Sequence, residues 1–271
     1  MKKTILITLA DTGYFDQARQ LLASAVYDGA WSGDLAVITP DMTDAQVEWF
    51  TTRGIIVKKC PHTYEAQPHP GLPLIRFMKH RIFDEFFRQW ENVVFLDADI
   101  IVCRSLAELA VRESFGAIAG VCHHPPQIGR VNARINYQPN KRTTPLFYEL
   151  ERRYDLNRPV FNSGVMAFST RFVGKSFAAE LNRLTSRYMQ LCLLEQAMLN
   201  LAVYNQWQEL DPKYNFLPGH YFFSPHDLQK AHVVHFSGNI KPWDQACTGY
   251  VADFKMKWRK NLEMSAGLKV A

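Results

Sequence analysis

The chain has no Cys-x-x-Cys pair, and its five cysteines, Cys60, Cys103, Cys122, Cys192 and Cys247, stand singly along 271 residues. An odd count without paired spacing argues against a disulfide framework and against a cysteine zinc site, and makes the reduced cytosol the expected compartment. No apolar run approaches the ~20 residues that span a bilayer. The nearest imitation of a leader, Met1-Lys2-Lys3 followed by Thr4–Ala10, is cut by Asp11 before any cleavage pattern and reads as a first buried strand. Nor is there a long run of Lys or Arg. A net charge of +5 without a basic stripe gives no reason to expect nucleic acid, whereas a phosphate-bearing substrate or an anionic membrane surface suits it. Repeats, low-complexity segments and linkers are also lacking, so the reading is one domain, residues 1–250, with a basic, aromatic tail at 251–271.

What is there is ordinary in bulk, 47 % hydrophobic and 21 % charged, enough for a sizeable core in a chain this long. Short apolar runs at Lys3–Ala10, Asp34–Thr39, Ile55–Cys60, Val93–Val102, Gly116–Val121, Val160–Ser169 and Val233–Phe236 read as strands. Helical patterns cover Phe15–Tyr27, Leu74–Trp90, Lys175–Arg187 and Glu195–Tyr204. Thr43 with Gln46, and Ser105 with Glu108, have capping-box spacing. Pro61–Pro73 reads as loop. Alternating strands and helices predict an α/β fold with a mixed, mainly parallel central sheet covered on both faces. Residues 123–160 break the rhythm. Rich in Pro, Asn, Arg and Gln, with one short helix near Leu146–Tyr154, they read as a variable segment. His123, His124, Arg130, Arg134, Arg142, Arg152 and Arg153 there belong either to a solvated basic loop or to a lid that orders over a bound substrate.

The most informative segment is Val93-Val94-Phe95-Leu96-Asp97-Ala98-Asp99-Ile100-Ile101-Val102. Residues i and i+2 of a strand share a face, so Asp97 and Asp99 converge if the strand runs through. Two close buried carboxylates are costly, and a hard divalent cation, Mg²⁺ or Mn²⁺, relieves both. The plainer reading is that the strand ends here and the acids are solvated or cap a turn. A phosphatase with an Asp nucleophile is a further alternative, although that design commonly uses the first strand of the chain.

Four segments together carry a resemblance: Leu96-Asp97-Ala98-Asp99, Phe161-Asn162-Ser163-Gly164-Val165-Met166, Glu195-Gln196-Ala197-Met198-Leu199-Asn200, and His235-Phe236-Ser237-Gly238-Asn239-Ile240-Lys241-Pro242-Trp243. In this order the chain resembles the retaining glycosyltransferases of family eight, which include glycogenin, galactinol synthase and bacterial lipooligosaccharide galactosyltransferases. The resemblance implies a single-domain GT-A fold, a Rossmann-like nucleotide-sugar-binding sandwich, and transfer of a hexose from a UDP-sugar to a glycan, glycolipid or other hydroxyl acceptor. It implies Asp97, Asp99 and His235 as ligands of Mn²⁺ (or Mg²⁺). Gly238 and Lys241 are implied at the diphosphate, and Thr8, Leu9, Ala10, Tyr14, Lys79, Arg81, Asp97 and Ala98 elsewhere on the UDP-sugar. Asn162, Glu195 and Gln196 are implied at the donor sugar. Glu195 departs from the family's usual Asp, which bears on the identity of that sugar.

The chemistry fits these residue types. Charge building on a leaving diphosphate is neutralised by a cation acting as a Lewis acid and by the Lys241 ammonium. Positive character at the anomeric carbon calls for the carbonyl oxygen of Gln196 in a front-face mechanism, or for Glu195 as a covalent nucleophile. A nucleotide-sugar-binding protein without turnover is the alternative from another class. The basic and aromatic residues of 254–260 suggest a surface helix, with peripheral contact at the inner face of a membrane as a second reading.

Overall fold

The computed structural model describes residues 2–62, 74–110, 119–122, 144–170, 175–191, 195–204, 206–218, 225–238, 241–245, 247 and 249–270. Almost all of the expected loop 61–73, and His123, His124, Arg130, Arg134 and Arg142, lie outside the described residues.

Four strands of the first part, β1 (Lys2–Leu9), β2 (Asp34–Thr39), β3 (Ile56–Lys59) and β4 (Trp90–Leu96), run parallel to one another. A long strand, β7 (Phe161–Ser169), lies antiparallel to β4, and β6 (Ala119–Cys122) and β8 (Gln208–Glu209) follow it. The order across this seven-stranded sheet is β3-β2-β1-β4-β7-β6-β8. Every residue of β7 is buried, which requires cover on both faces. The period of two sorts the strands between two cores. Leu6, Val94, Leu96, Val165 and Ala167 pack on one face with α1 (Phe15–Tyr27) and Phe50 of α2 (Asp44–Thr51). Ile5, Ile7, Val93, Phe95, Met166 and Phe168 pack on the other, with Met78, Ile82, Phe83 and Leu181. Fully burying one such side chain contributes ~1.5–3 kcal/mol.

Two expected elements differ. Val93–Val102 is not one strand. β4 stops at Leu96, and β5 (Ile100–Val102) leaves the sheet to pair antiparallel with β9 (Val233–His235). Residues 97–99 form the turn between two sheets. Likewise, the expected helix Leu74–Trp90 is wound as 3-10 turns, Leu74–Phe83 and Glu85–Gln89, and Trp90 already belongs to β4. Asp84 divides them, its carboxylate accepting from Phe86 N at 3.1 Å. An Asp that caps in mid-run ends one helix and starts the next.

The other helices are α3 (Ala107–Ala110), α4 (Pro145–Arg153), α5 (Lys175–Tyr188), α6 (Glu195–Ala202), α7 (Pro225–Lys230) and α8 (Tyr250–Met264). The capping box at Thr43 and Gln46 is formed. The one expected at Ser105 is not, because Glu108 turns to Tyr214 Oη at 2.7 Å and to Lys213 at 3.1 Å. The helix α8 lies against α1: Lys257 pairs with Asp28 at 2.9 Å, and Trp258 and Leu268 are buried. Val270 N donates to Arg53 O at 2.9 Å. This approach needs glycine at position 54, where φ is +79° and a Cβ would meet Val270 O at 2.7 Å. Phe254 and Trp258 therefore face the protein's own core. Among the described residues no helix is long and apolar enough to cross a membrane.

Candidate active site

The turn between the two sheets is pinned at both ends by backbone. Asp97 N donates to Gly164 O of β7 at 2.8 Å, and Phe236 N, just past β9, donates to Asp99 O at 2.9 Å. His235 closes β9 opposite Ile100. Three side chains from two segments, the 97–99 turn and the end of β9, thus meet: the ligand atoms of Asp97, Asp99 and His235 all lie within 4.8 Å of one another. His235 Nε2 is 3.2 Å from Asp99 Oδ1 and 3.8 Å from Asp97 Oδ2. The acids converge as expected, but through a turn rather than along a strand. They are neither fully solvated nor caps; both are mostly buried.

Each carboxylate has its own lysine. Lys79 Nζ lies 2.9 Å from Asp97 Oδ2, 3.2 Å from Ser163 Oγ and 3.5 Å from Glu195 Oε1. Lys241 Nζ lies 2.6 Å from Asp99 Oδ2 and also donates to Phe236 O. Burial is the largest influence on both acids, and it decides only one of them. It outweighs the Lys79 ammonium and, with Asp99 adding, holds the Asp97 carboxyl above its ordinary range. At Asp99, burial is overcome by His235 and Lys241, which hold that carboxyl below it. For buried Lys79, desolvation is likewise overcome, by Asp97 and Glu195, and the ammonium is favoured. Two close carboxylates pushed in opposite directions are a common mark of a functional site.

The donor set fits a hard divalent cation. A chain of hydrogen bonds fixes the imidazole. Asn162 Oδ1 accepts from Gly164 N and from Asn215 Nδ2, both at 2.9 Å. That commits the amide nitrogen of Asn215, so its Oδ1, 2.9 Å from His235 Nδ1, must accept. Nδ1 then carries a proton, which leaves Nε2, beside the two carboxylates, as the nitrogen that could give its lone pair to a cation. One imidazole nitrogen and two carboxylate oxygens suit Mn²⁺ or Mg²⁺. Gly164 makes room for this: a Cβ there would lie 2.2 Å from His235 Cε1.

The remaining expected residues fall into three groups. Around the cluster, Glu195 opens α6, buried, with Oε2 lacking a hydrogen-bond partner among the described residues. Gln196 Oε1, the oxygen expected to face the anomeric carbon, accepts from Ser163 N at 3.1 Å, and the Oδ1 of Asn162 is already shared between two donors. Near the rim, Tyr14 is 38 % exposed and stands edge-on to Trp243 at 6.1 Å. Burial and then Asp99 raise its phenol above the ordinary range. A Cβ on Gly238 would touch nothing. Thr8, Leu9, Ala10 and Ala98 have buried side chains, and the Thr8 hydroxyl has no partner among the described residues. Arg81 turns instead toward Pro61 O at 3.5 Å. Nothing in the sequence marks Asn215, nor buried His80, whose imidazole desolvation lowers to about 4.

The family model for glycosyl transferase family 8 matches residues 45–247. A curated relative, a probable glycosyl transferase Gly of Streptococcus gordonii, is 25 % identical over 174 residues, 62 % of this chain and 22 % of its own. The chain thus spans about a fifth of that relative's length. Among solved structures, the galactosyltransferase LgtC in complex with donor and acceptor sugar analogues superposes with a TM-score of 0.65 at 13 % identity, over 98 % of this chain and 97 % of LgtC. The glycosyltransferase GlyE of Streptococcus pneumoniae TIGR4 does so with 0.65 at 18 % identity, over 100 % of this chain and 65 % of GlyE. The common fold is GT-A. Because the family match runs through the acidic turn, the Gly164 strand, the Glu195 helix and the His235–Trp243 segment alike, the chain belongs to glycosyl transferase family 8.

Proposed function

We propose that the chain transfers a hexose from a UDP-sugar to a hydroxyl of a glycan, glycolipid or other carbohydrate acceptor, with retention at the anomeric carbon and with Mn²⁺ or Mg²⁺ held by Asp97, Asp99 and His235. The observation that carries this reading is the convergence of those three ligands beside Lys241. A cation bound there would supply Lewis-acid neutralisation of a diphosphate.

The chain's own residues do the rest. Lys241 can turn its ammonium from Asp99 to a phosphate oxygen, adding positive charge where the leaving group gains negative charge. The open space at Gly238 leaves its backbone free to approach the same group. Tyr14, partly exposed and edge-on to Trp243, offers a ring for the base. Beside Asp97, Glu195 and Lys79 offer a buried carboxylate and ammonium to sugar hydroxyls. Gln196, fixed by Ser163 N, keeps a second lone pair for the anomeric carbon. Compartment and acceptor follow the same reading: a reducing cytosol, with the acceptor reached from the side of residues 123–160. The galactosyltransferase bound to donor and acceptor analogues supports sugar partners on both sides.

The test is a donor screen by NMR, with several UDP-sugars, with Mn²⁺ and with excess chelator, following the anomer released. Metal-dependent cleavage of one donor is expected, falling ~10³-fold or more in Asp99→Asn and His235→Ala, as loss of several kcal/mol of charge stabilisation requires. Folded protein that neither binds nor cleaves any nucleotide-sugar would overturn the reading.

A further inference from the structure

One edge of β5 pairs with β9; beside the other, no strand is found among the described residues. In an antiparallel pair, residues that exchange hydrogen bonds alternate with residues whose N–H and C=O point outward. Asp99 O accepts from Phe236 N at 2.9 Å, and Cys103 N donates to His232 O at 2.7 Å. Residues 99, 101 and 103 therefore face β9, and 100 and 102 face α1. Buried peptide groups on that side need partners. Two of them are met from one face of the helix: Gln20 Nε2 donates to Ile100 O at 2.6 Å, and Ser24 Oγ accepts from Val102 N at 3.1 Å while donating to Leu21 O at 2.8 Å. Gln20 and Ser24, one turn apart and both 0 % exposed, stand in for a neighbouring strand.

The two are not equivalent. Ser24 acts at the far end of β5. Gln20 acts at its first residue, which follows Asp99 in the chain and lies opposite His235 across the ladder. It does so at a cost, since its Oε1 is buried without a partner among the described residues, beside Ala18, Leu21 and Leu22. We propose that Gln20 is a positioning residue for the cation site: by holding Ile100 O it fixes where β5 begins, and hence where Asp99 and His235 meet. This rests on the reading of Asp97, Asp99 and His235 as cation ligands.

The experiment is a Mn²⁺ titration of the full chain, followed by the electron paramagnetic resonance signal of the free ion, for wild type, Gln20→Met and Ser24→Ala. Each variant removes one hydrogen bond to the same strand edge. Gln20→Met is expected to bind Mn²⁺ ~10-fold or more weakly, the usual effect of losing an outer-shell partner. Ser24→Ala is expected to lower the melting temperature while holding its affinity within about twofold of wild type, since its bond lies beyond the ligands. Gln20→Leu, read in the same titration, covers the case in which the methionine variant does not fold. Unchanged affinity in the Gln20 variants overturns this proposal alone, as does equal weakening in Ser24→Ala, which would make the edge a generic support. Absence of Mn²⁺ binding in the wild type overturns the cation reading and this proposal with it.

Discussion

Gly164 and Asn215 act on the same imidazole, one by leaving space and the other by accepting the hydrogen bond that Nδ1–H donates. Gly164→Ala would drive a methyl into His235. It is expected to cost ~1–3 kcal/mol by overpacking, visible as a lower melting temperature, and to abolish Mn²⁺ binding in the same titration. Asn215→Leu leaves Nδ1–H of His235 without its acceptor and is expected to weaken Mn²⁺ ~10–100-fold. Asn215→Asp keeps an acceptor and is expected to recover part of that loss. His80 carries a pH dependence. Burial depresses its imidazole to about 4, with Glu195 opposing and Arg81 assisting. Below its ordinary value the unfolded chain binds a proton that the folded chain refuses until about pH 4, so stability falls on acidification through that window, by up to ~3 kcal/mol. Urea melts at pH 7 and pH 5 are expected to show a smaller difference in His80→Gln than in wild type. The two acids were legible because carboxylates between apolar residues are conspicuous, whereas His235 was picked out by the resemblance of its segment. Asn215 was not, because its significance is a contact with a strand some 20 residues later, and an asparagine before that contact looks like any turn.

Elements built from local signals match their sequence patterns closely. The Thr43–Gln46 box caps α2 as its spacing predicts, and Thr43→Ala is expected to cost ~1 kcal/mol of stability and leave donor cleavage unchanged. β1, β2 and α1 follow likewise from uninterrupted apolar runs and helical spacing. The failures lie where distant partners decide. Nothing within Val93–Val102 says that the second half leaves the sheet, since both halves are equally apolar. The decision belongs to β9, more than a hundred residues on, which pairs with Ile100–Val102 in a different sheet. Ser105 and Glu108 have the same box spacing as Thr43 and Gln46, yet Tyr214 and Lys213 draw the Glu away. Capping geometry is local only when no stronger partner competes.

At the scale of the molecule, the C-terminal segment, read from sequence as a tail, is part of the packing. Trp258, Ser265 and Leu268 are buried, and Val270 is tied to the backbone of Arg53. Truncation after Gly249 would uncover the face of α1 that α8 covers, and is expected to give insoluble protein. A soluble truncated chain with unchanged circular dichroism would show that segment to be dispensable. The family fold was legible in outline because four short segments, each carrying chemistry, occur in one order. The antiparallel placement of β7 was not, because an evenly apolar strand does not encode its direction.

The two lysines at the acidic turn have a consequence for order of assembly. Asp99 already shares its charge with an ammonium 2.6 Å away, so an arriving cation enters in competition with a tethered one. A diphosphate that draws Lys241 to itself removes the competitor, and by thermodynamic reciprocity each ligand then raises the affinity of the other by the same factor. On the proposed reading, a site built in this way would bind cation and nucleotide together more tightly than either alone.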